Sequence, residues 1–112
     1  MSYTVKKNAI TLTRGDTFKA KVSITDREGN PYDPQEGDTV RFAAKKNYTD
    51  PDTEVLILKD IPIETLILKL EPEDTKDLDF GIYVYDIQLT RANGDVDTFI
   101  AKASLMLTEE VY

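Results

Sequence analysis

The stretch LDFGIYVYDIQLT, Leu78–Thr90, decides how this chain is read. From Gly81 onward it alternates. Tyr83, Tyr85, Ile87 and Leu89 fall on one side of an extended chain, and Ile82, Val84, Asp86 and Gln88 on the other. Successive side chains of a strand point to opposite faces, so a period of two with one apolar side predicts a half-buried β-strand. The D-x-G-x-Y-x-Y spacing adds a second expectation. Tyr83 ties its hydroxyl to nearby backbone, while Tyr85 fills a core position. Two tyrosines packed on a sheet without that bond would leave the strand assignment unchanged.

The same period recurs outward from this segment. Phe18, Ala20, Val22 and Ile24 alternate with Lys19, Lys21, Ser23 and Thr25. Val40, Phe42 and Ala44 alternate with Arg41 and Lys45, and Phe99, Ala101, Ala103, Leu105 and Leu107 form one face of the final run. EVLILKD (Glu54–Asp60) and TLILKL (Thr65–Leu70) are short apolar runs with charges at or near their ends. Such charges discourage edge-to-edge aggregation. Turn chemistry separates the runs. Asp26-Arg27-Glu28-Gly29-Asn30-Pro31 cannot continue a strand, and Ala92-Asn93-Gly94-Asp95 carries the Asn-Gly pair of a type I′ hairpin. Glu71–Leu78 (EPEDTKDL) reads as one or two helical turns, with Pro72 suited to a first helical position and acids suited to the positive end of the dipole.

With Ala9–Thr13 as a first strand, the count reaches about seven at the turn spacing of a sandwich. The D-x-G-x-Y-x-Y segment is close to the opening of strand F in immunoglobulin sandwiches. The expected fold is all-β: an immunoglobulin-like antiparallel β-sandwich of about seven strands, with one short helical turn in the loop before the penultimate strand. Residues 1–112 read as a single domain whose ends, 1–7 and 109–112, fray.

Composition narrows the function classes. At 112 residues with 40% apolar and 31% charged side chains, the chain suits one soluble core. No apolar run approaches a membrane span, and MSYTVKKNAI lacks the apolar core of a signal peptide. No membrane or export role is expected. Cysteine and histidine are absent, which removes disulfides, thiolate chemistry, the usual zinc ligand and the commonest neutral-pH base. The formal charge of −7 opposes nucleic-acid binding in the absence of a basic block. No pair of carboxylates stands in an apolar context that would separate their pKa values, so an enzyme is not expected, and neither catalytic residues nor cofactor are assigned.

Two short motifs invite a functional reading. Arg14-Gly15-Asp16 is the tripeptide of adhesion ligands, but a tight turn needs the Gly and an Asp accepts a hydrogen bond from following backbone. It reads as a corner between strands. Asp50, Asp52 and Glu54 alternate like calcium ligands, yet the glycine and distal glutamate of the loop motif are missing, so no metal is assigned. Asn47-Tyr48-Thr49 is a glycosylation acceptor only in a secreted chain.

One surface remains. If Tyr83, Tyr85 and Ile87 face inward, Ile82 and Val84 face outward beside Ile100 and Met106, an apolar patch of the kind that marks a protein interface. Asp86, on the same face, is placed to pair with Arg41 or Lys45.

Taken together, ITLTRGDTF, D-R-E-G-N-P-Y-D, GDTVRFAAKKNYTDPDTEVLILKD and LEPEDTKDLDFGIYVYDIQLTRANGDVDTF make the chain similar to tail-associated immunoglobulin-like domains of phages and prophages. The N-terminal domain of siphophage baseplate upper proteins represents that family, and the likeness runs from about Ala9 to Val111. The resemblance implies a non-enzymatic structural protein of a tail, baseplate or virion accessory. It would be assembled in the bacterial cytoplasm and pack against other virion proteins or copies of itself as a homo-oligomer. Baseplate upper proteins continue past this domain, so a chain ending at Tyr112 is expected to be a stand-alone accessory or decoration protein. The alternative is a carbohydrate- or ligand-binding module for host attachment, with Tyr3, Tyr32, Tyr48 and Tyr112 as the aromatics expected outside the core.

Overall fold

The computed structural model describes residues 3–6, 8–24 and 30–109, with backbone alone for 3–6 and 99–102. Its strands are β1 (Tyr3–Lys6), β2 (Ala9–Thr13), β3 (Phe18–Lys21), β4 (Thr39–Lys45), β5 (Ile57–Ile61), β6 (Ile67–Leu70), β7 (Gly81–Thr90) and β8 (Val96–Thr108). They form a six-stranded sheet, ordered β1-β2-β8-β7-β4-β5, and a two-stranded sheet of β3 and β6. A single α-helical turn, α1 (Pro72–Thr75), precedes β7. The fold is mostly β.

Alternation builds this arrangement. Val40, Phe42 and Ala44 on β4, Tyr83, Tyr85, Ile87 and Leu89 on β7, and Leu105 and Leu107 on β8 are all buried. They share one cluster with Phe18 of β3 and with Leu68 and Leu70 of β6, so the inner faces of both sheets meet in a common core. Phe42 and Tyr85 stack at 5.0 Å near its middle.

Several details differ from the sequence reading. Eight strands are present among the described residues rather than seven, because Tyr3–Lys6 forms a further strand that pairs antiparallel with β2, from Tyr3↔Leu12 to Lys6↔Ala9. Residues 1, 2, 7 and 110–112, where fraying was expected, and the turn residues Asp26–Gly29 lie outside the described residues. The sheet is not wholly antiparallel, since β2 runs parallel to β8, with Ile10 opposite Leu105 and Leu12 opposite Leu107. No hairpin joins these distant strands, so nothing local imposes an antiparallel sense. The run Glu54–Asp60 divides into a 3-10 turn at Asp52–Glu54 and a strand that begins at Ile57. Strand β3 stops at Lys21, yet Val22 and Ile24 stay buried, the former tied by its N–H to the Leu66 carbonyl at 2.7 Å.

The β7–β8 hairpin is not a type I′ turn. Gly94 N–H donates to the Arg91 carbonyl at 2.8 Å, and only Gly94 has positive φ there, at +95°. This is a type I turn followed by a left-handed residue. The Asn93 side chain explains the difference, because its Oδ1 accepts the Asp95 N–H at 2.9 Å.

Candidate functional site

The outer face of the six-stranded sheet carries the residues that packing leaves over. Ile82 of β7 stands opposite Met106 of β8, and they are 56% and 39% exposed. Both are large and apolar, so their exposure is the informative feature of this face. Val84, one outward step farther along β7, is half-buried between Lys45 of β4 and Ser104 of β8. The structure thus brings Ile82, Val84 and Met106 into one strip. Ile100 is separated from them. Two steps along β7, from Tyr85 to Ile87, correspond to three along β8, from Ala103 to Ile100, which sets Ile100 opposite the inward Ile87 instead of beside Val84. An extra residue in one strand breaks the alternation on which the sequence reading of Ile100 rests. Its side chain lies outside the described residues.

Beside the strip the face sinks into an open depression of about 560 Å³. The register explains it: the small Ala43 of β4 lies between Leu58 of β5 and Asp86 of β7. Leu58 and Tyr48, 56% and 58% exposed, rise at its margin, and Arg41, Gln88 and Thr98 close its far end. Arg41 Nε bonds Asp60 at 3.2 Å, and Lys45 Nζ bonds Asp52 at 2.8 Å and the Asp50 carbonyl at 2.9 Å. These partners replace the Asp86 pairing expected for Arg41 or Lys45. The Lys45 bond holds the Asp52 carboxyl below its ordinary pKa. In the loop whose acids alternate like calcium ligands, the ammonium therefore sits between the Asp50 carbonyl and the Asp52 carboxylate. Among the described residues no three acids, histidines or cysteines are grouped to hold a metal.

Tyr83 Oη donates to the Asp79 carbonyl at 2.7 Å, four residues upstream, and Lys46 Nζ lies 4.7 Å from the centre of its ring. Burial pushes the phenol up from its ordinary value.

Arg14-Gly15-Asp16 is bound into the molecule. The Arg14 guanidinium donates to the Leu78 carbonyl at 2.9 Å and covers the Phe80 ring at 4.2 Å. Gly15, at φ +84°, donates its N–H to Thr75 Oγ1 at 2.8 Å. The tripeptide joins the β2–β3 turn to α1.

Tyr32 is also a structural side chain rather than an open aromatic platform. Its ring packs against the core beneath Arg91, and its hydroxyl donates to Asp38 at 2.7 Å. Asp38, buried, accepts two backbone N–H bonds as well, from Gln35 at 2.9 Å and Ala92 at 3.1 Å. These bonds, the Gln35 N–H foremost, depress its pKa. Sequence reasoning missed Asp38 and Thr75. Both look like surface polar residues, and only the partners brought from distant segments reveal them. Tyr3 and Tyr112 have no described side chain.

No family model, curated protein or solved structure matches the chain.

Proposed function

We propose that the chain is an immunoglobulin-like sandwich serving as a non-enzymatic structural protein of a phage or prophage virion. It acts by protein–protein association through the outer face of the large sheet. The observation that carries the association is the solvent-facing Ile82–Met106 pair, continued by Val84. An apolar strip on an otherwise acidic domain loses less by being covered than by staying wet.

The fold part of the reading is supported by strand order. The sequence β8-β7-β4-β5 corresponds to G-F-C-C′ of immunoglobulin sheets, and β3 with β6 corresponds to B and E. The Tyr83–Asp79 bond corresponds to the tyrosine corner at the start of strand F. The virion context rests on the sequence resemblance. A non-enzymatic role accords with the absence of histidine and cysteine from the chain and with the structural engagement of Asp38, the carboxylate buried in its own network.

Sedimentation tests the association. Wild type is expected to form concentration-dependent oligomers, while Val84→Lys and Met106→Lys shift the distribution toward monomer with unchanged circular dichroism. Oligomers that persist in both variants would discard the surface. A monomeric wild type would discard self-association.

A further inference from the structure

The tip of the β7–β8 hairpin lies at the opposite end of β7 from Ile82. We propose that Asn93, at this tip, is a site of spontaneous deamidation, and that its isoaspartyl product loosens the hairpin from Asp38. This chemistry is separate from association and does not depend on it.

Sequence selects the residue. The chain has four asparagines, followed by Ala9, Pro31, Tyr48 and Gly94. Deamidation begins when the main-chain nitrogen of the next residue attacks the side-chain amide carbon. Pro31 has no N–H to surrender, and a Cβ at Ala9 or Tyr48 crowds the approach, whereas Gly94 has none. The structure then leaves the site open. Ala92, Asn93, Gly94 and Asp95 are all exposed, and a Cβ placed on Gly94 would meet nothing within 4 Å. Ring closure meets no steric obstacle there, and water reaches its product. The turn's own bonds must open first. Gly94 N–H donates to the Arg91 carbonyl at 2.8 Å, Asn93 Oδ1 accepts the Asp95 N–H at 2.9 Å, and Asn93 Nδ2 donates to Asp95 Oδ2 at 3.3 Å. At an exposed loop tip such local opening costs little.

Once the tip opens, Gly94 N gives its proton to hydroxide and bonds to Asn93 Cγ. The Cγ–Nδ2 bond breaks, and the nitrogen takes a proton from water and leaves as ammonia. The succinimide so formed takes up water. Opening at Cγ gives aspartate, and opening at the Asn93 main-chain carbonyl routes the chain through Cγ as isoaspartate. The aspartate product sets a carboxylate against Asp95 where Nδ2 had donated, and like charges repel. The isoaspartate product adds an atom to the main chain inside the turn. Arg91, which bonds both Gly94 and Asp95 across that turn, loses its register. Ala92 lies within the same turn and donates its N–H to Asp38 at 3.1 Å, so the tie to Asp38 loosens with it.

Incubation of the folded chain at physiological temperature and mildly alkaline pH tests the site, with peptide mapping and labelling by an isoaspartyl methyltransferase. Label is expected on the peptide containing Asn93, several-fold ahead of those containing Asn8 and Asn47, and Asn93→Ser should remove it. In the isolated isoaspartyl form, amide exchange at Ala92 should rise at least about tenfold, as the loss of a hydrogen bond to a charged group implies. Exchange at Tyr83, at the other end of β7, should stay unchanged. No label at position 93, equal label at Asn8 or Asn47, or native Ala92 exchange in the isoaspartyl form overturns the proposal.

Discussion

Tyr85 shows how one side chain can be set by two opposing demands. Its ring belongs in the core against Phe42, while its hydroxyl must find a partner there, and the Asn8 carbonyl accepts it from the far end of the chain. Burial pushes the phenol up to about 12. Because the folded value lies above the ordinary 10, the folded state holds the proton more tightly than the unfolded chain. The associated stability is complete below about pH 10 and declines as pH rises toward 12. Tyr85→Phe is therefore expected to cost about 1 kcal/mol at neutral pH by orphaning the Asn8 carbonyl. Urea melts should show that deficit shrinking above about pH 10. A deficit independent of pH would remove the assignment. Tyr83 and Tyr32 are shifted in the same direction but remain in the variant, so the difference isolates Tyr85. Asp38 acts at the other end of the scale. Its depressed value means that its stabilising effect is present above the ordinary carboxylate pKa and is lost as pH falls through the folded one.

At the level of elements, α1 is too short to be stable alone and is held by what surrounds it. Glu71 and Asp74 close a capping box across it, and Asp74 also bonds Lys59 of β5 at 2.8 Å. Thr75 buries its side chain and accepts the Gly15 N–H. Thr75→Val keeps the volume and removes the acceptor. It should cost about 1–2 kcal/mol in urea denaturation and speed amide exchange at Gly15. Unchanged stability and exchange would show that the turn holds α1 by packing alone. Lys59 has a second consequence. It lies between the buried Ile57 and Ile61 on the free edge strand β5, and a lysine in that alternation opposes the addition of a further strand. The bond to Asp74 raises its pKa, so it keeps its charge through the physiological range.

For the whole molecule, stability rests on two inner faces that share one interior. Phe42 is fully buried on β4 and stacks with Tyr85 of β7. Phe42→Ala is expected to cost about 3–5 kcal/mol, a large part of the roughly 5–15 kcal/mol available to a domain. A measured loss below about 1 kcal/mol would contradict a core at this position.

Alternation along the chain was enough to predict the inward faces of β4 and β7 and the inward Leu105 and Leu107 of β8, because a strand turns each next side chain to the other side, while the side chains of Phe99 and Ala101, expected on the same face, lie outside the described residues. Glu71–Leu78 likewise showed its helical turn through Pro72 and the acids beside it, and the Tyr83 bond spans only four residues, so local spacing could suggest it. Ile100 marks the limit of that reasoning. An irregularity in pairing with β7 interrupts its alternation, and the irregularity belongs to two strands together rather than to either alone. The same holds for the parallel meeting of β2 and β8, for Asp38 under Ala92, and for the hollow over Ala43. Each is made by segments far apart in the chain, and such contacts come into being only when the two sheets close on their common core.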